Sequence, residues 1–290
     1  MAYILRATAA NGDIRLFAAI TTDMVEEARR IHNLSPTASA ALGRFMTVAS
    51  MMGTMLKGER DTITLSLNGG GSIGNMVAVS NPKGNVKAYV SNPGADLPLN
   101  EKGKLDVGRI VGVNGFLNVV KDLGLKEPYV GQVPLRTGEI GDDIAYYFTV
   151  SEQVPSAVVL GVLVDTDISI KAAGGLIIQM MPGANEFLAD IITFRLQEIP
   201  PLSTLIAEGK SGEEILNMLF DDMDLKIYEK IDCRYECDCS RERVERALIA
   251  LGKEELQRLH DEEESIQLEC HFCDKKYKFT KEEIKKLIDK

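Results

Sequence analysis

Alternating apolar and polar positions open the chain. Tyr3–Ala9 and Ile14–Ile20 read as extended runs, and Asn11-Gly12-Asp13 between them predicts a hairpin turn, because Asn-Gly tolerates the positive φ that such turns require. The period then lengthens to that of a helix. Met24, Ala28 and Ile31 mark one face over residues 23–33, with Asp23 and Glu26 at N-cap and N3 spacing. Ser35-Pro36 predicts a second helix start, an N-cap followed by proline at N1. Beyond it residues 37–57 are largely apolar or small and include Met46, Met51, Met52 and Met55. Such a run raises the question of a membrane span, but Arg44 lies inside it and serine and threonine recur. It is expected as a helix buried in a soluble core, with the methionines as adaptable filler.

From residue 62 to 180 the pattern is mainly that of short strands, at 62–67, 75–80, 86–91, 129–135, 145–151, 158–164 and 170–179, separated by Gly, Pro and Asn/Asp turns. A helix is expected at 106–123. Together these predict an α+β domain over residues 1–182, a two-layered sheet domain with a packed central helix. Residues 183–225 then read as a helical linker. Phe187, Leu188, Ile191, Ile192 and Leu196 have amphipathic spacing, Pro200-Pro201 stops that helix, and two shorter ones follow, the second capped by Ser211 with Glu214 three residues on. Its apolar face is either a packed spacer or a surface covered in one state and free in another.

Charge separates the last part of the chain from the rest. The formal charge is −10 over 290 residues, and residues 1–180 contribute −1 of it while residues 181–290 contribute −9. Within residues 226–290 about half of all positions are charged, and all five cysteines lie there. So polar a segment buries too little apolar surface to offset its ordering entropy, about 1.5 kcal/mol per residue, without a crosslink. An acidic C-terminal part also argues against nucleic acid, which needs clustered Lys and Arg. The first residues lack a basic n-region followed by a long apolar run, so a cytoplasmic location with reduced thiols is expected.

Enzymatic constellations are weak. Gly69, Gly71 and Gly74 fit a G-x-G-x-x-G string, but a strand rather than a helix is expected next, so a tight β-turn is the reading and not a nucleotide site. His32 sits near a helix end, His260 and His271 lie in the charged tail, and Asp142-Asp143 is expected as a solvated turn at a strand start. None of these makes a nucleophilic or acid–base set.

The cysteines make a set of a different kind, one of metal ligands. Cys237 and Cys239, then thirty residues, then Cys270 and Cys273 form two close pairs, and four thiolates in a tetrahedron suit zinc, which has no geometric preference of its own. Ser240 is expected to cap a helix running to about Leu259, residues 275–279 to return as a strand, and Thr280 with Glu283 to frame the cap of a final helix. Zinc held by thiolates supplies about 10–16 kcal/mol of folding free energy, so an oxidant that consumes the thiolates would turn metal loss into loss of order. Cys233 and His271 stand beside this set as competing ligands, and Cys233 is read as a bystander or an extra resolving thiol.

The chain at this point resembles the heat shock protein 33 family. The C-x-C and C-x-x-C pairs carry the likeness, together with PTASAALGR at 36–44, LDV at 105–107, DLG at 122–124, GEIGDD at 138–143 followed by Tyr146 and Tyr147, and SEQVP at 151–155. Cys233 departs from the family's four-cysteine pattern. The resemblance implies a chaperone, not an enzyme, that binds unfolding client proteins without ATP. It implies one zinc ion per chain on Cys237, Cys239, Cys270 and Cys273 in the reduced, inactive state. Under oxidative and heat stress it implies pairing of Cys237 with Cys239 and Cys270 with Cys273, zinc release, and a favoured dimer. A thiol–disulfide oxidoreductase on Cys270/Cys273 and a zinc-ribbon interaction module are the competing expectations.

Overall fold

The computed structural model describes residues 1–288. Its opening hairpin forms as expected, β1 (Tyr3–Ala9) against β2 (Ile14–Ile20) with Ala9 opposite Ile14. The turn passes through Ala10, Asn11 and Gly12 at φ of 51, 55 and 99°. α1 (Thr22–His32) follows, but its start differs from the expected box. Thr21 occupies the cap position, Asp23 lies in the first turn 2.7 Å from the N-terminal ammonium, and Glu26 binds Arg29 and the Ile170 N–H. α2 (Pro36–Gly53) begins as its Ser-Pro pair predicts, with Ser35 Oγ accepting from the Ala38 N–H at 3.2 Å. Every residue of α2 except Pro36 and Arg44 is buried. It packs on strands of two sheets, and among the described residues no helix is long and apolar enough to cross a membrane.

Those sheets are antiparallel and five-stranded. One is assembled from β3 (Thr62–Asn68), β4 (Met76–Ser80) and β5 (Val86–Val90), then β6 (Phe116–Asp122) and β7 (Tyr129–Pro134), in the order β5-β4-β3-β6-β7. Between β5 and β6 lies the short α3 (Val107–Val111). The helix expected at 106–123 is therefore confined to its first turn and a half. Gly112, at φ 79°, ends it, and beyond Asn114-Gly115 the buried Leu117 and Val119 follow the two-residue period of a strand. The reverse error occurs at 145–151, expected as a strand and found in α4 (Ile140–Ser151). Its buried positions Ile140, Asp143, Ile144, Tyr147 and Phe148 are a helical stripe that an aromatic, β-branched stretch concealed. Asp143 is accordingly no solvated turn residue. It is fully buried and accepts from the Arg136 and Thr137 N–H groups at 2.7 and 3.3 Å.

β8 (Ser156–Val164) and β9 (Ile170–Met180) join the first hairpin in the other sheet. Onto that sheet's outer face, at Leu5, Leu16 and Ile178, pack α5 (Phe187–Glu198), α6 (Leu202–Ala207) and α7 (Gly212–Phe220), the last with the expected Ser211–Glu214 capping box. The apolar face of the helical segment is thus covered only in part: Ile192, Leu202, Leu205, Ile215 and Leu219 are buried, whereas Phe187, Ile191 and Phe194 of α5 are exposed. β10 (Lys226–Asp232) then pairs with β1 and completes the order β10-β1-β2-β9-β8. Compact units consequently part at Glu236/Cys237, eleven residues after the expected start of the last module, because β10 is bound into the larger unit's sheet.

The smaller unit contains α8 (Arg241–Ile249), α9 (Lys253–Glu262), the hairpin β11 (Ser265–Glu269) and β12 (Lys276–Thr280), and α10 (Lys281–Ile288). Ser240 caps α8 by accepting from the Arg243 N–H, but the single helix expected to about Leu259 is divided at Gly252, at φ 91°. Thr280 and Glu283 exchange the two bonds of a capping box at the last helix. Leu248, Leu256, Tyr277, Phe279, Ile284 and Leu287 are its buried apolar side chains. That is a small core, of a size that domains usually supplement with a metal or disulfides.

Candidate metal centre

Two local geometries prepare the cysteines. Residues 236–240 are in neither helix nor strand, and in extended chain side chains two residues apart face the same side, which suits Cys237 and Cys239. Cys270 directly follows β11, and the chain turns there. The Cys273 and Asp274 N–H groups donate to the Cys270 carbonyl at 3.2 and 2.8 Å, the Cys270 N–H donates to the Lys275 carbonyl at 3.0 Å, and Asp274 takes φ 56° to close the turn into β12.

These segments bring all four sulfurs within 4.8 Å of one another. Cys237 Sγ lies 3.7 Å from Cys270 Sγ, and Cys239 Sγ lies 3.3 Å from Cys273 Sγ. A tetrahedron of thiolates with zinc–sulfur bonds of about 2.3 Å has edges of about 3.8 Å, so the donor set fits a zinc ion with little rearrangement. The shortest contacts join the two pairs to each other, so proximity does not select a disulfide partner within each pair.

Tyr277 is the residue that cysteine spacing did not disclose. Its hydroxyl donates to Cys239 Sγ at 3.0 Å while its ring is buried beside Phe279 in the small core. A signal existed in the alternation of Lys276–Thr280, which places Tyr277 and Phe279 on one face, and a buried tyrosine hydroxyl requires a partner. Burial opposes ionisation of Cys239, but bonds from Tyr277 and from the other three thiols outweigh it and lower this thiol to about 7. Burial pushes Cys273 up to about 11, reinforced by its bond to Cys239, and pushes Cys237 higher still. Arg243 pairs with Asp238, between the first two cysteines, and Arg241 binds Glu283 at 2.7 Å and covers the Phe279 ring.

The competing ligands stay outside this set. His271 is exposed and not among the clustered donors, and Cys233 is 5% exposed within the larger unit, its thiol pushed up to about 11 by burial. His32 is half-buried, its Nε2 3.0 Å from the Ala88 carbonyl. The glycine string at 69–74 leads into β4, as a turn does, and Gly69 and Gly71 lie against the backbone of α3 too closely for a Cβ. Cys270 and Cys273 are followed by β12 and not by a helix, so the helix N-terminus that lowers a thiol in C-x-x-C oxidoreductases is lacking here.

Comparison with known proteins agrees in extent. The family model described as Hsp33 protein matches residues 2–280. The 33 kDa chaperonin of Clostridium beijerinckii is 56% identical over 99% of this chain and 98% of its own, and that of Clostridium acetobutylicum 58% identical over 98% and 96%. Among solved structures, the 33 kDa chaperonin (heat shock protein 33 homolog) of Thermotoga maritima superposes with a TM-score of 0.89 at 38% identity, covering 99% of this chain and 97% of that one.

Proposed function

Because the chain belongs to the Hsp33 family, we propose that it is a redox-regulated, ATP-independent holdase that binds unfolding proteins in the cytoplasm and protects them from aggregation under oxidative and heat stress. The observation that carries this reading is the cluster of four sulfurs within 4.8 Å. In the reduced protein Cys237, Cys239, Cys270 and Cys273 hold one zinc ion, which supplies no redox chemistry and acts as a crosslink between the start of the small unit and its hairpin turn. Folding of that unit then depends on the thiolates remaining thiolates.

Oxidation removes them. Each disulfide forms as two thiols give two electrons and two protons to peroxide, which is reduced to two waters, and two such events consume the whole donor set. The pairing proposed is Cys237 with Cys239 and Cys270 with Cys273, on the family resemblance. With the crosslink gone the small core cannot hold the unit, apolar surface becomes available to clients, and self-association to a dimer is favoured. No catalytic step belongs to this activity, and neither nucleic acid nor a membrane is a partner.

Zinc content and suppression of client aggregation, measured on one sample before and after peroxide at raised temperature, test the proposal. Close to one zinc per chain should be released as protection appears. Equal protection by the zinc-loaded, reduced form would refute the switch, and Cys237→Ser or Cys270→Ser should uncouple metal release from oxidation.

A further inference from the structure

The residues that lead into Cys237 occupy an edge of each large sheet. β10 is outermost on β1, paired antiparallel from Tyr3 opposite Asp232 to Thr8 opposite Lys226, with a shift of register between Arg6 and Ala7. Three residues later the same segment bridges β5, outermost in the other sheet. The Val86 N–H donates to the Arg234 carbonyl at 3.1 Å and the Glu236 N–H to the Val86 carbonyl at 2.9 Å. The residue after Glu236 is the first candidate ligand.

Over β10 this cover is held lightly, whereas beyond it Cys233 is buried in the main core and the Tyr235 hydroxyl donates to the Ala88 carbonyl at 2.9 Å. All of β10 except Ile231 is exposed, and its side-chain ties are surface contacts, Arg6 to Glu229 at 3.2 Å, Lys230 to Glu213 at 3.0 Å, and Thr8 to the Tyr228 hydroxyl at 3.0 Å. Exposed ion pairs of this kind contribute about 0–1 kcal/mol. Beneath it β1 is firmly built, with Ile4, Leu5 and Ala7 buried. What β10 occupies is a row of main-chain donors and acceptors, and such an edge accepts extended polypeptide with little regard to sequence. The presence of β10 there demonstrates that chemistry directly.

Resting on the holdase reading above, we infer that the outer edges of β1 and β5 are docking sites for extended segments of unfolding polypeptide, covered in the reduced protein by residues 226–236 and opened when the Cys237–Lys290 unit loses its metal. A client strand replaces the chain's own strand by main-chain hydrogen bonding. A second copy of this protein suits the β1 edge less well. Antiparallel pairing centred on the strand would set Arg6 against its own counterpart beside Arg15, a like-charge juxtaposition that destabilises a sheet.

Backbone amide exchange on the full-length protein tests this in three states: zinc-loaded and reduced, oxidised with peroxide at raised temperature, and oxidised in the presence of reduced, carboxymethylated α-lactalbumin as the extended client. Zinc release and α-lactalbumin retention are read on the same samples. Protection of the amides of Tyr3–Ala9 that face β10, and of Val86, whose N–H donates to the Arg234 carbonyl, should fall at least about tenfold on oxidation and return when the client is added. Retained client with unchanged protection in β1 and β5 overturns the docking sites while leaving the holdase standing. Zinc release without client retention overturns the holdase reading itself. Recovery of protection on raising the protein concentration without client overturns the client assignment in favour of a second copy. Glu229→Pro, which disrupts β10 and touches no cysteine, should make the zinc-loaded, reduced protein retain several-fold more α-lactalbumin, and retention equal to that of the unsubstituted protein overturns the inference.

Discussion

Tyr277 joins the candidate metal centre to the core of its own unit, since one side chain both packs against Phe279 and donates to Cys239. Tyr277→Phe keeps the ring and removes the donor, so the expected result is a roughly tenfold weaker hold on zinc, within the range for such supporting contacts, read by competition with a chromogenic chelator. Asp143 shows the same principle without a metal. Burial chiefly raises its pKa, against the bonds from the Arg136 and Thr137 N–H groups, and its Oδ2 has no hydrogen-bond partner among the described residues. A carboxyl whose folded pKa lies above its unfolded value favours the fold below the unfolded value and loses that contribution as pH rises through the folded one. Asp143→Asn, which still accepts both N–H bonds, should therefore remove the loss of stability on raising pH just above the ordinary carboxylate range. Asp143→Ala should cost about 1–3 kcal/mol by stranding those donors, with urea denaturation at several pH values separating the two outcomes.

Elements were legible where their chemistry is local. The Ser211 capping box needs only residues 211–214, and both of its bonds are present at the start of α7, whose Ile215, Leu216, Leu219 and Phe220 pack on the sheet. Ser211→Ala should lower stability of the larger unit by about 1 kcal/mol, seen as an earlier urea midpoint with an unchanged slope. α4 and β6 were misread for a shared reason. Tyr146-Tyr147-Phe148-Thr149-Val150 favours strand by residue type, and only packing of Ile144, Tyr147 and Phe148 into one core decides for helix. β6 is the converse, an apolar stretch that pairs with β3 over seven residues because the neighbouring strand is there.

On the scale of the whole molecule, the two units should respond differently to loss of metal. Chelation of the reduced protein should abolish the helical signal of the Cys237–Lys290 unit and leave the cooperative thermal transition of the larger one in place, as followed by circular dichroism with calorimetry. Acidification should weaken zinc binding, because thiols must lose protons to become ligands and falling pH restores them. The sequence by itself determined the four clustered thiols, the strand and helix periods of most elements, the caps at Ser35, Ser211 and Ser240, and the polar last quarter, since each is written within a few neighbouring residues. Tertiary structure alone decided that Tyr277 reaches Cys239, that Asp143 is buried, that the closest sulfurs belong to different pairs, and that residues 226–236 edge both large sheets. Apart from the N–H groups that Asp143 binds, six and seven positions before it, those contacts join residues tens to more than two hundred positions apart, and only the packing of a shared core or the pairing of a shared sheet brings them together.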